Sequence, residues 1–323
     1  MNHLRDWVPF KFSVTRSEPL VDWCNLGLAR FIEPFFEDTI AQSMRLPFNL
    51  VFQQQTSIDV LKEVANGTDI VPPTGFIFHM SRCGSTLITQ MLAEFEENIV
   101  ISEAPPIDSV ISSRNDSASD DSVKLWLQWM VAAFGRRRSG AEKHYFIKFD
   151  AWNTLDLDLI AGVFPTVPSL FVYRNPVEVL ASQLREPGMH VVPGFLEKRL
   201  PQLNVTAALE MSREEYCARI LAEICEPAVA RAQAGPMLLV NYEELPNAVF
   251  DRIASHFNLA FEPAEISAML DKTRFNAKRP QLFFEADTET KKREVSDDAR
   301  RVAETLVDPI YNRLEEIRLR TTA

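Results

Sequence analysis

The segment HMSRCGSTL, residues 79–87, combines a glycine, two hydroxyl residues and an arginine at the end of an apolar strand pattern. Gly84 permits a tight turn, and Ser85 and Thr86 begin a helical pattern. Backbone N–H groups and the positive end of the helix dipole would therefore face an anion there. Arg82 adds a fixed positive charge beside the hydroxyl groups. The chemistry indicated is the binding of a phosphate or sulfate group, although Ser and Thr are also ordinary helix caps.

The phosphate loop of nucleotide triphosphatases has a different composition. Its pattern, GxxxxGK[ST], requires a glycine where His79 stands and a lysine where Ser85 stands. Because that lysine and a Mg²⁺ ion handle the triphosphate in those enzymes, the segment does not encode triphosphate chemistry. His79 adjoins the loop and could be considered as a base, but it precedes the turn within the strand pattern, so we expect a packed or hydrogen-bond-donating histidine there.

A second anion site is indicated by YRNPVEVLAS, residues 173–182. Arg174 follows an apolar strand pattern, and Asn175 and Pro176 are typical of a helix N-cap and first turn. Ligands of parallel sheets bind at the carboxyl ends of the strands, where Arg174 would lie. A guanidinium group can donate two parallel hydrogen bonds to a phosphate, and Ser182, about two helical turns further on, adds a hydroxyl group.

Three ionisable side chains follow two further strand patterns. Glu103 comes after NIVIS, and Lys148 and Asp150 lie in IKFDAWN, residues 147–153. If strands that are neighbours in the sequence also pair, Glu103 lies beside the turn at Gly84. The adjoining prolines would partly desolvate this carboxylate and raise its pKa, which suits a general base near neutral pH. Glu103 and Asp150 are therefore both candidates for the base; a loop acid at Glu103 and a structural ion pair of Lys148 with Asp150 are the competing interpretations.

Basic side chains cluster late in the chain. FNAKRPQLF, residues 275–283, contains Lys278 and Arg279, and TETKKREVS, residues 288–296, contains Lys291–Arg293. In a chain with a formal net charge of −11, such local clusters are what an anion pocket requires. A solvated charged loop explains them as well.

Short apolar runs that alternate with helical patterns determine the fold class. The runs are GFIFHM, NIVIS, HYFIKF, PSLFVY and MLLVN. This alternation indicates an α/β fold with a parallel sheet covered by helices. Two prolines ending at Pro73 mark a boundary, so we predict a mainly helical and irregular N-terminal extension over residues 1–73 and an α/β domain over residues 74–323. An apolar repeat predicts one final helix over about 297–319 despite Pro309.

Charge and composition exclude several kinds of partner. The net charge of −11 and the pI near 5.1 argue against nucleic acid, because binding phosphates over a wide surface needs a basic face. No stretch approaches the roughly 20 apolar residues of a membrane span, and the first residues lack the order of a signal peptide, so we expect a cytoplasmic protein. The four cysteines form no CxxC pair and there are five histidines, so we expect neither a metal site nor disulfides.

Together, SRCGST and YRNPVEVLAS resemble the motifs of the sulfotransferase superfamily, and the first is similar to the RxGSTL loop of bacterial members. The resemblance covers roughly residues 75–320. It implies a three-layer, P-loop-type α/β fold and the donor 3′-phosphoadenosine 5′-phosphosulfate (PAPS), without a metal ion. The donor-binding residues that it implies are Arg82, Cys83, Gly84, Ser85, Thr86 and Leu87 for the 5′ end, Arg174 and Ser182 for the 3′-phosphate, and Lys278 and Arg279 in a late closing segment.

The resemblance also implies catalytic roles. Family members with a Gly-Glu or Ser-Glu step after the second strand use that glutamate as the base, which corresponds to Glu103. Lys148 becomes a candidate for contacting the bridging oxygen of the leaving group, and Asp150 is the rival base. Arg82 falls where other members carry a loop lysine. His190 lies in a loop that we expect on the acceptor side, where histidines are usually bystanders.

The sequence therefore predicts a sulfotransferase that moves a sulfonate group from PAPS to a hydroxyl or amine of a small-molecule or glycoconjugate-like acceptor. A P-loop small-molecule kinase is the first alternative, and Mg²⁺-dependent ATP binding would distinguish it. A noncatalytic nucleotide-binding relative is the second. No motif encodes the acceptor or the oligomeric state. One adenosine with two phosphate groups must reach both anion sites, so the interpretation requires Arg174 to lie close to the turn at Gly84.

Overall fold

The computed structural model describes residues 4–15, 18–115, 118–235, 237–283 and 295–322. The strands are β1 (Trp7–Val14), β2 (Pro19–Asn25), β3 (Gln54–Ser57), β4 (Gly75–His79), β5 (Asn98–Ser102), β6 (His144–Lys148), β7 (Ser169–Tyr173), β8 (Met237–Asn241), β9 (Phe275–Asn276) and β10 (Arg279–Phe283). The first helices are α1 (Phe36–Met44), α2 (Pro47–Val51), α3 (Ile58–Ala65), α4 (Ser85–Leu92), α5 (Pro105–Ser112), α6 (Asp120–Phe134) and α7 (Leu157–Val163). They are followed by α8 (Pro176–Arg185), α9 (Val205–Leu209), α10 (Arg213–Ala234), α11 (Ala254–His256), α12 (Pro263–Lys272), α13 (Asp297–Leu306) and α14 (Asp308–Thr322).

A parallel sheet of five strands, flanked by helices, confirms the predicted α/β fold class. Its strands coincide with the five apolar runs of the sequence. β5 pairs in parallel with β6, with Asn98 opposite His144, and β7 pairs in parallel with β8, with Ser169 opposite Met237. Every residue of β4 and β5 is buried, which is why these strands have continuous apolar runs instead of alternating ones.

The strand order across this sheet is β5-β6-β4-β7-β8. The expectation that β4 and β5 pair, which was to set Glu103 beside the turn at Gly84, is therefore wrong: β6 lies between them. Helix α4 connects β4 to β5, as crossover connections between parallel strands usually contain a helix. This connection leaves one position in the sheet between the two strands, and β6, which comes later in the chain, occupies it.

The chain divides into two compact units. The first contains residues 1–76, 89–150 and 159–167, and the second contains residues 77–88, 151–158 and 168–323. In the first unit Phe76 makes edge-to-face contacts with Phe149 and Phe164. In the second unit the buried residues Ala151, Leu196, Leu200, Leu203, Tyr216, Ile220 and Ile224 form one apolar cluster. The division predicted after residue 73, and a role for residues 1–73 in covering the acceptor, stay predictions.

The first unit also holds a small antiparallel sheet, in the order β1-β2-β3, that the sequence did not predict. Its strands contain Pro9 and Pro19, and proline in a sequence is more typical of a turn than of a strand. Proline is tolerated at the start of a strand, where Pro19 lies, and on an edge strand, which β1 is. The pairing register of β1 with β2 shifts between Pro9 and Lys11, so Pro9 lies beside an irregularity of the strand, where proline is also tolerated.

The predicted final helix is two helices, α13 and α14, which meet at Val307. A single helix over residues 297–319 is therefore wrong. Proline has no N–H to donate to the preceding turn, and its ring crowds the carbonyl four residues earlier. Pro309 instead occupies the first turn of α14, where proline is well tolerated. Within the described residues, no helix is long and apolar enough to cross a membrane.

Candidate functional site

The turn between β4 and α4 has the backbone geometry of an anion site. Ser81, Arg82 and Gly84 adopt φ angles of 75°, 52° and 88°. Left-handed residues in a turn direct successive N–H groups toward one concave side, an arrangement that binds anions. Ser85 and Thr86 then begin α4, and the start of an α-helix is a common place for an anion to bind because the first N–H groups point out along the helix axis.

Gly84 is required at this position for two reasons. Its φ of +88° lies in the left-handed region, which disfavours side chains. A Cβ atom there would also come within 2.8 Å of the Tyr242 ring and of the Leu245 side chain. The turn therefore keeps its shape only with glycine.

Two residues of the turn are anchored to β7. The N–H of Met80 and the thiol of Cys83 both donate to the carbonyl of Val172, each at 3.1 Å. The Cys83 side chain is fully buried, and the predicted donor-binding role of Cys83 stays a prediction. Ser85 and Thr86 are also buried, and Leu87 is partly exposed.

Arg174 follows β7 directly and contacts the turn. Its backbone N–H donates to the sulfur of Met80 at 3.2 Å. Its guanidinium group donates from Nε to Oε2 of Glu178 at 2.6 Å, and Nη2 pairs with the same oxygen. The guanidinium carbon lies 3.9 Å from the centroid of the Tyr242 ring. An acid and an aromatic ring therefore hold this buried arginine in one orientation.

One aromatic ring joins the two predicted anion sites. Tyr242, the residue after β8, packs its face against Arg174 and its edge atoms Cδ2 and Cε2 against Gly84. A single ring thus separates the guanidinium group from the turn. Arg174 lies close to the turn at Gly84, as the sequence interpretation requires.

Helix α8 carries Ser182 as well as Glu178. The predicted cap is confirmed: Oδ1 of Asn175 accepts the N–H of Val177 at 3.1 Å, and Pro176 is the first helical residue. Ser182 is buried on this helix. Its contact with a 3′-phosphate stays a prediction.

Basic residues from two distant segments converge on Glu186. Nη1 of Arg82 lies 3.2 Å from its carboxylate, and Nη2 of Arg279 lies 3.4 Å from the other carboxylate oxygen. The charge of Arg82 is the largest cause that holds the pKa of Glu186 below its ordinary value, and Arg279 and Lys278 add to it. The structure thus brings the predicted late basic residues to the arginine of the turn. Lys291–Arg293 lie outside the described residues.

Glu103 and Lys148 form an ion pair in the first unit. The Glu103 carboxylate lies 2.8 Å from the Lys148 ammonium group, and the Glu103 N–H donates to the Lys148 carbonyl at 2.7 Å. Glu103 has a φ of 54°, a left-handed conformation that is costly outside glycine and that clusters at functional sites. The lysine side chain is fully buried and its ammonium group lies 5.0 Å from the centroid of the Phe35 ring, whereas the Glu103 side chain is 23% exposed.

The pair differs from the expected environment of Glu103. The sequence predicted a carboxylate desolvated by the adjoining prolines, whereas the structure places a buried cation against it. The rival base Asp150 is buried in the same unit. Within the part of the chain that the structure describes, no group of three or more His, Cys, Asp or Glu side chains is arranged to hold a metal ion.

Both histidines considered in the sequence are buried in the second unit. Nδ1 of His79 accepts the N–H of Ser81 at 3.0 Å, which agrees with a packed histidine that shapes the turn. Nε2 of His190 lies 3.1 Å from Nε2 of Gln183, and its ring centroid lies 6.0 Å from that of Trp152.

Sequence reasoning missed the residues that hold these groups in place, namely Glu178, Gln183, Glu186 and Tyr242. Glu178 had a usable signal, because it lies four residues after Arg174 on a helical pattern. Tyr242 follows the last strand of the sheet, a position where ligands bind in such folds. Gln183 and Glu186 had no signal that distinguished them from other polar helix residues.

No protein-family model and no curated protein matches the chain. Solved structures that are similar to it include the sulfotransferase STF9 from Mycobacterium avium, at 13% identity over 84% of this chain and 83% of that chain, with a TM-score of 0.45. A sulfotransferase from Alicyclobacillus acidocaldarius shares 14% identity over 77% of this chain and 96% of that chain, with a TM-score of 0.45. The sulfotransferase domain from the curacin biosynthetic pathway shares 13% identity over 73% and 98%, with a TM-score of 0.43. At such low values the likeness itself carries no conclusion about function.

Proposed function

We propose that the chain is a PAPS-dependent sulfotransferase acting on a hydroxyl or amine of a small-molecule or glycoconjugate-like acceptor. The observation that carries the proposal is the contact between Arg174 and the anion-binding turn. Arg174 donates to Met80 of the turn, and both it and Gly84 pack against Tyr242. Two anion sites in contact suit a ligand with an anionic group at each end, and PAPS is such a ligand.

The residues of the second unit fit the two ends of the donor. The left-handed turn and the start of α4 offer backbone N–H groups for the 5′-phosphosulfate. Arg174 and Ser182 are buried side chains for the 3′-phosphate. Arg82, Lys278 and Arg279 bring three positive charges to the neighbourhood of Glu186, and such a local basic cluster supports the binding of a ligand with several negative groups.

Glu103 is the proposed general base. The acceptor oxygen or nitrogen forms a bond to sulfur while the bond from sulfur to the bridging oxygen breaks, and adenosine 3′,5′-bisphosphate leaves with that electron pair. Glu103 takes the acceptor proton. Its left-handed backbone and its two contacts with Lys148 support a fixed position for the carboxylate. We assign Lys148 the task of orienting Glu103; a contact with the leaving oxygen stays a prediction.

Isothermal titration with adenosine 3′,5′-bisphosphate tests the donor site without knowledge of the acceptor. We expect tight binding by the natural chain and a loss of about 10- to 100-fold in Arg174→Lys, because an ammonium group lacks the planar fork of a guanidinium. The lysine keeps a cation beside buried Glu178, so the variant does not leave an unpaired acid.

The matched control is Arg301→Ala, which removes an exposed arginine paired with Asp298. It should bind the bisphosphate as the natural chain does. Absence of bisphosphate binding by the natural chain refutes the proposal. Tight, Mg²⁺-dependent ATP binding in its place would indicate the kinase, and binding without turnover on a broad acceptor panel would indicate the noncatalytic relative.

A further inference from the structure

The side-chain amide of Gln183 is buried and links the anion-binding turn to a loop that lies beyond α8. Its Nε2 donates to Oγ of Ser81 at 2.9 Å and lies 3.1 Å from Nε2 of His190. Its Oε1 accepts the N–H of Gly188 at 2.8 Å. Only 1% of Gln183 is exposed, so these contacts decide how the amide is oriented.

The chemistry of the partners fixes the direction of each hydrogen bond. The N–H of Gly188 can only donate, so it must face the amide oxygen. The two amide hydrogens then point to Ser81 and His190. Nε2 of His190 must accept, because two donors cannot share a hydrogen bond, and the ring is therefore neutral with its proton on Nδ1.

The two ends of this link differ in character. Ser81 is held in a left-handed conformation inside the turn, with a φ of 75°. The loop around His190 contains three exposed apolar residues, Met189, Val192 and Phe195, which are 57%, 41% and 40% exposed. The Trp152 ring packs on both His190 and Phe195, at centroid distances of 6.0 Å and 5.1 Å. A polar strained turn and an exposed apolar loop, residues 189–195, thus share one buried amide.

We infer that Gln183 is a positioning residue that couples occupation of the anion-binding turn to the conformation of loop 189–195. An anion that draws in the N–H groups of the turn shifts Ser81, and the amide transmits this shift to His190 and the apolar residues around it. Donor binding would in this way order an apolar surface suited to an apolar part of the acceptor. The inference rests on the proposed function, since the anion is the donor nucleotide.

Two variants of Gln183 distinguish the effect of its hydrogen bonds from the effect of its side-chain volume. Gln183→Glu keeps an oxygen for Gly188, and its second oxygen accepts from Ser81, whose hydroxyl can rotate to donate. His190 must then carry its proton on Nε2. Gln183→Met fills a similar volume and makes none of the three hydrogen bonds.

The experiment uses the full chain labelled with ¹⁵N-histidine at neutral pH, with the His190 signal assigned from a His190→Asn sample. Two-bond ¹H–¹⁵N spectra distinguish the two neutral forms of the ring. We expect the Nδ1–H form in the natural chain and the Nε2–H form in Gln183→Glu. Adenosine 3′,5′-bisphosphate should shift the His190 signal in both proteins and leave it unmoved in Gln183→Met.

Losing the buried hydrogen bonds should weaken bisphosphate binding about tenfold in Gln183→Met and less than about threefold in Gln183→Glu.

The outcomes separate this inference from the proposed function. An Nε2–H form in the natural chain contradicts the hydrogen-bond directions and overturns the link. Bisphosphate binding that shifts His190 equally in Gln183→Met overturns the coupling and leaves the donor site standing. No bisphosphate binding by the natural chain overturns the coupling together with the proposed function.

Discussion

Among the described residues, Arg174 and Lys148 are buried cations at the ends of parallel strands, and they differ in the exposure of the acid that accompanies each of them. Arg174 and Glu178 are both buried, with side chains 7% and 3% exposed. Lys148 is fully buried as well, but its partner Glu103 is 23% exposed. Each cation also lies over an aromatic ring, Tyr242 for one and Phe35 for the other.

The difference in exposure indicates opposite roles for the two acids. Glu178 is almost completely buried and lies one helical turn from Arg174, so it orients the arginine. Glu103 is the exposed member of its pair, so there the cation orients the acid, and a carboxylate within reach of an acceptor can take a proton. Under the proposed function, the same pairing of charges would present a cation in one region and a base in the other.

The largest effect is expected from removing the proposed base. Glu103→Gln keeps the shape of the side chain and abolishes proton acceptance, so the turnover number should fall by about 100- to 10,000-fold. The measurement is the release of adenosine 3′,5′-bisphosphate from the donor with 2-naphthol as a probe acceptor. Asp150→Asn is the matched control, and a larger loss there than in Glu103→Gln would transfer the role of base to Asp150.

Replacing the cation of each pair should lower the free energy of unfolding by different amounts in the two pairs. Arg174→Met leaves Glu178 buried without its partner, which costs about 3–5 kcal/mol of unfolding free energy. Lys148→Met leaves Glu103 partly in water and gains an apolar side chain in a buried position, so we expect a cost of about 1 kcal/mol. Denaturant unfolding measures both, and equal losses would contradict the contrast drawn from exposure.

A buried carboxylate held by the backbone extends the comparison. Burial raises the pKa of Glu142, but its carboxylate accepts hydrogen bonds from the backbone N–H groups of Ser139 and Arg138, which lower the pKa. The hydrogen bonds outweigh burial, so the pKa falls from 4.5 to about 2. A lowered pKa stabilises the fold above pH 4.5, and this contribution is lost as the pH falls toward 2. Glu142→Gln should cost roughly 3 kcal/mol at pH 7 and progressively less below pH 4.5. Unfolding curves recorded from pH 7 to pH 3 test this, and a difference independent of pH would refute it.

The smallest effect is expected at an exposed pair. Arg301 and Asp298 are 74% and 80% exposed and lie three residues apart on α13. Arg301→Ala should change the unfolding free energy by no more than about 0.5 kcal/mol. A larger change in thermal unfolding would show that exposure does not rank the ion pairs of this chain.

The central strands were predictable from sequence because each is buried along most or all of its length and so leaves a continuous apolar run. NIVIS and MLLVN match β5 and β8 residue for residue. The positions of Arg174 and Glu103 at strand ends followed from the same pattern. Strand order did not, because it depends on which position a crossover connection reaches, and no local pattern records that choice.

The partners of the functional side chains were harder to predict. The contact between Arg174 and Glu178 is local and obeys the spacing of a helix, so it was within reach. The contacts of Tyr242 with Gly84 and of Gln183 with Ser81 join residues far apart in the chain. Such contacts arise from the packing of whole elements. The antiparallel sheet β1-β2-β3 was not predicted, because prolines in its strands suggest turns in the sequence although edge positions and strand starts tolerate them.

The position of Tyr242 between Gly84 and Arg174 has a consequence for ligand choice. The Tyr242 ring lies between the turn and the Arg174 guanidinium group, and neither salt nor ordinary changes in pH alter the width of that ring. Salt screens the attraction between exposed cations such as Arg279 and a charged ligand in solution, and it screens buried charges such as Arg174 much less. Raising the ionic strength should therefore weaken every adenosine bisphosphate together and leave the ranking of the 2′,5′ and 3′,5′ isomers unchanged.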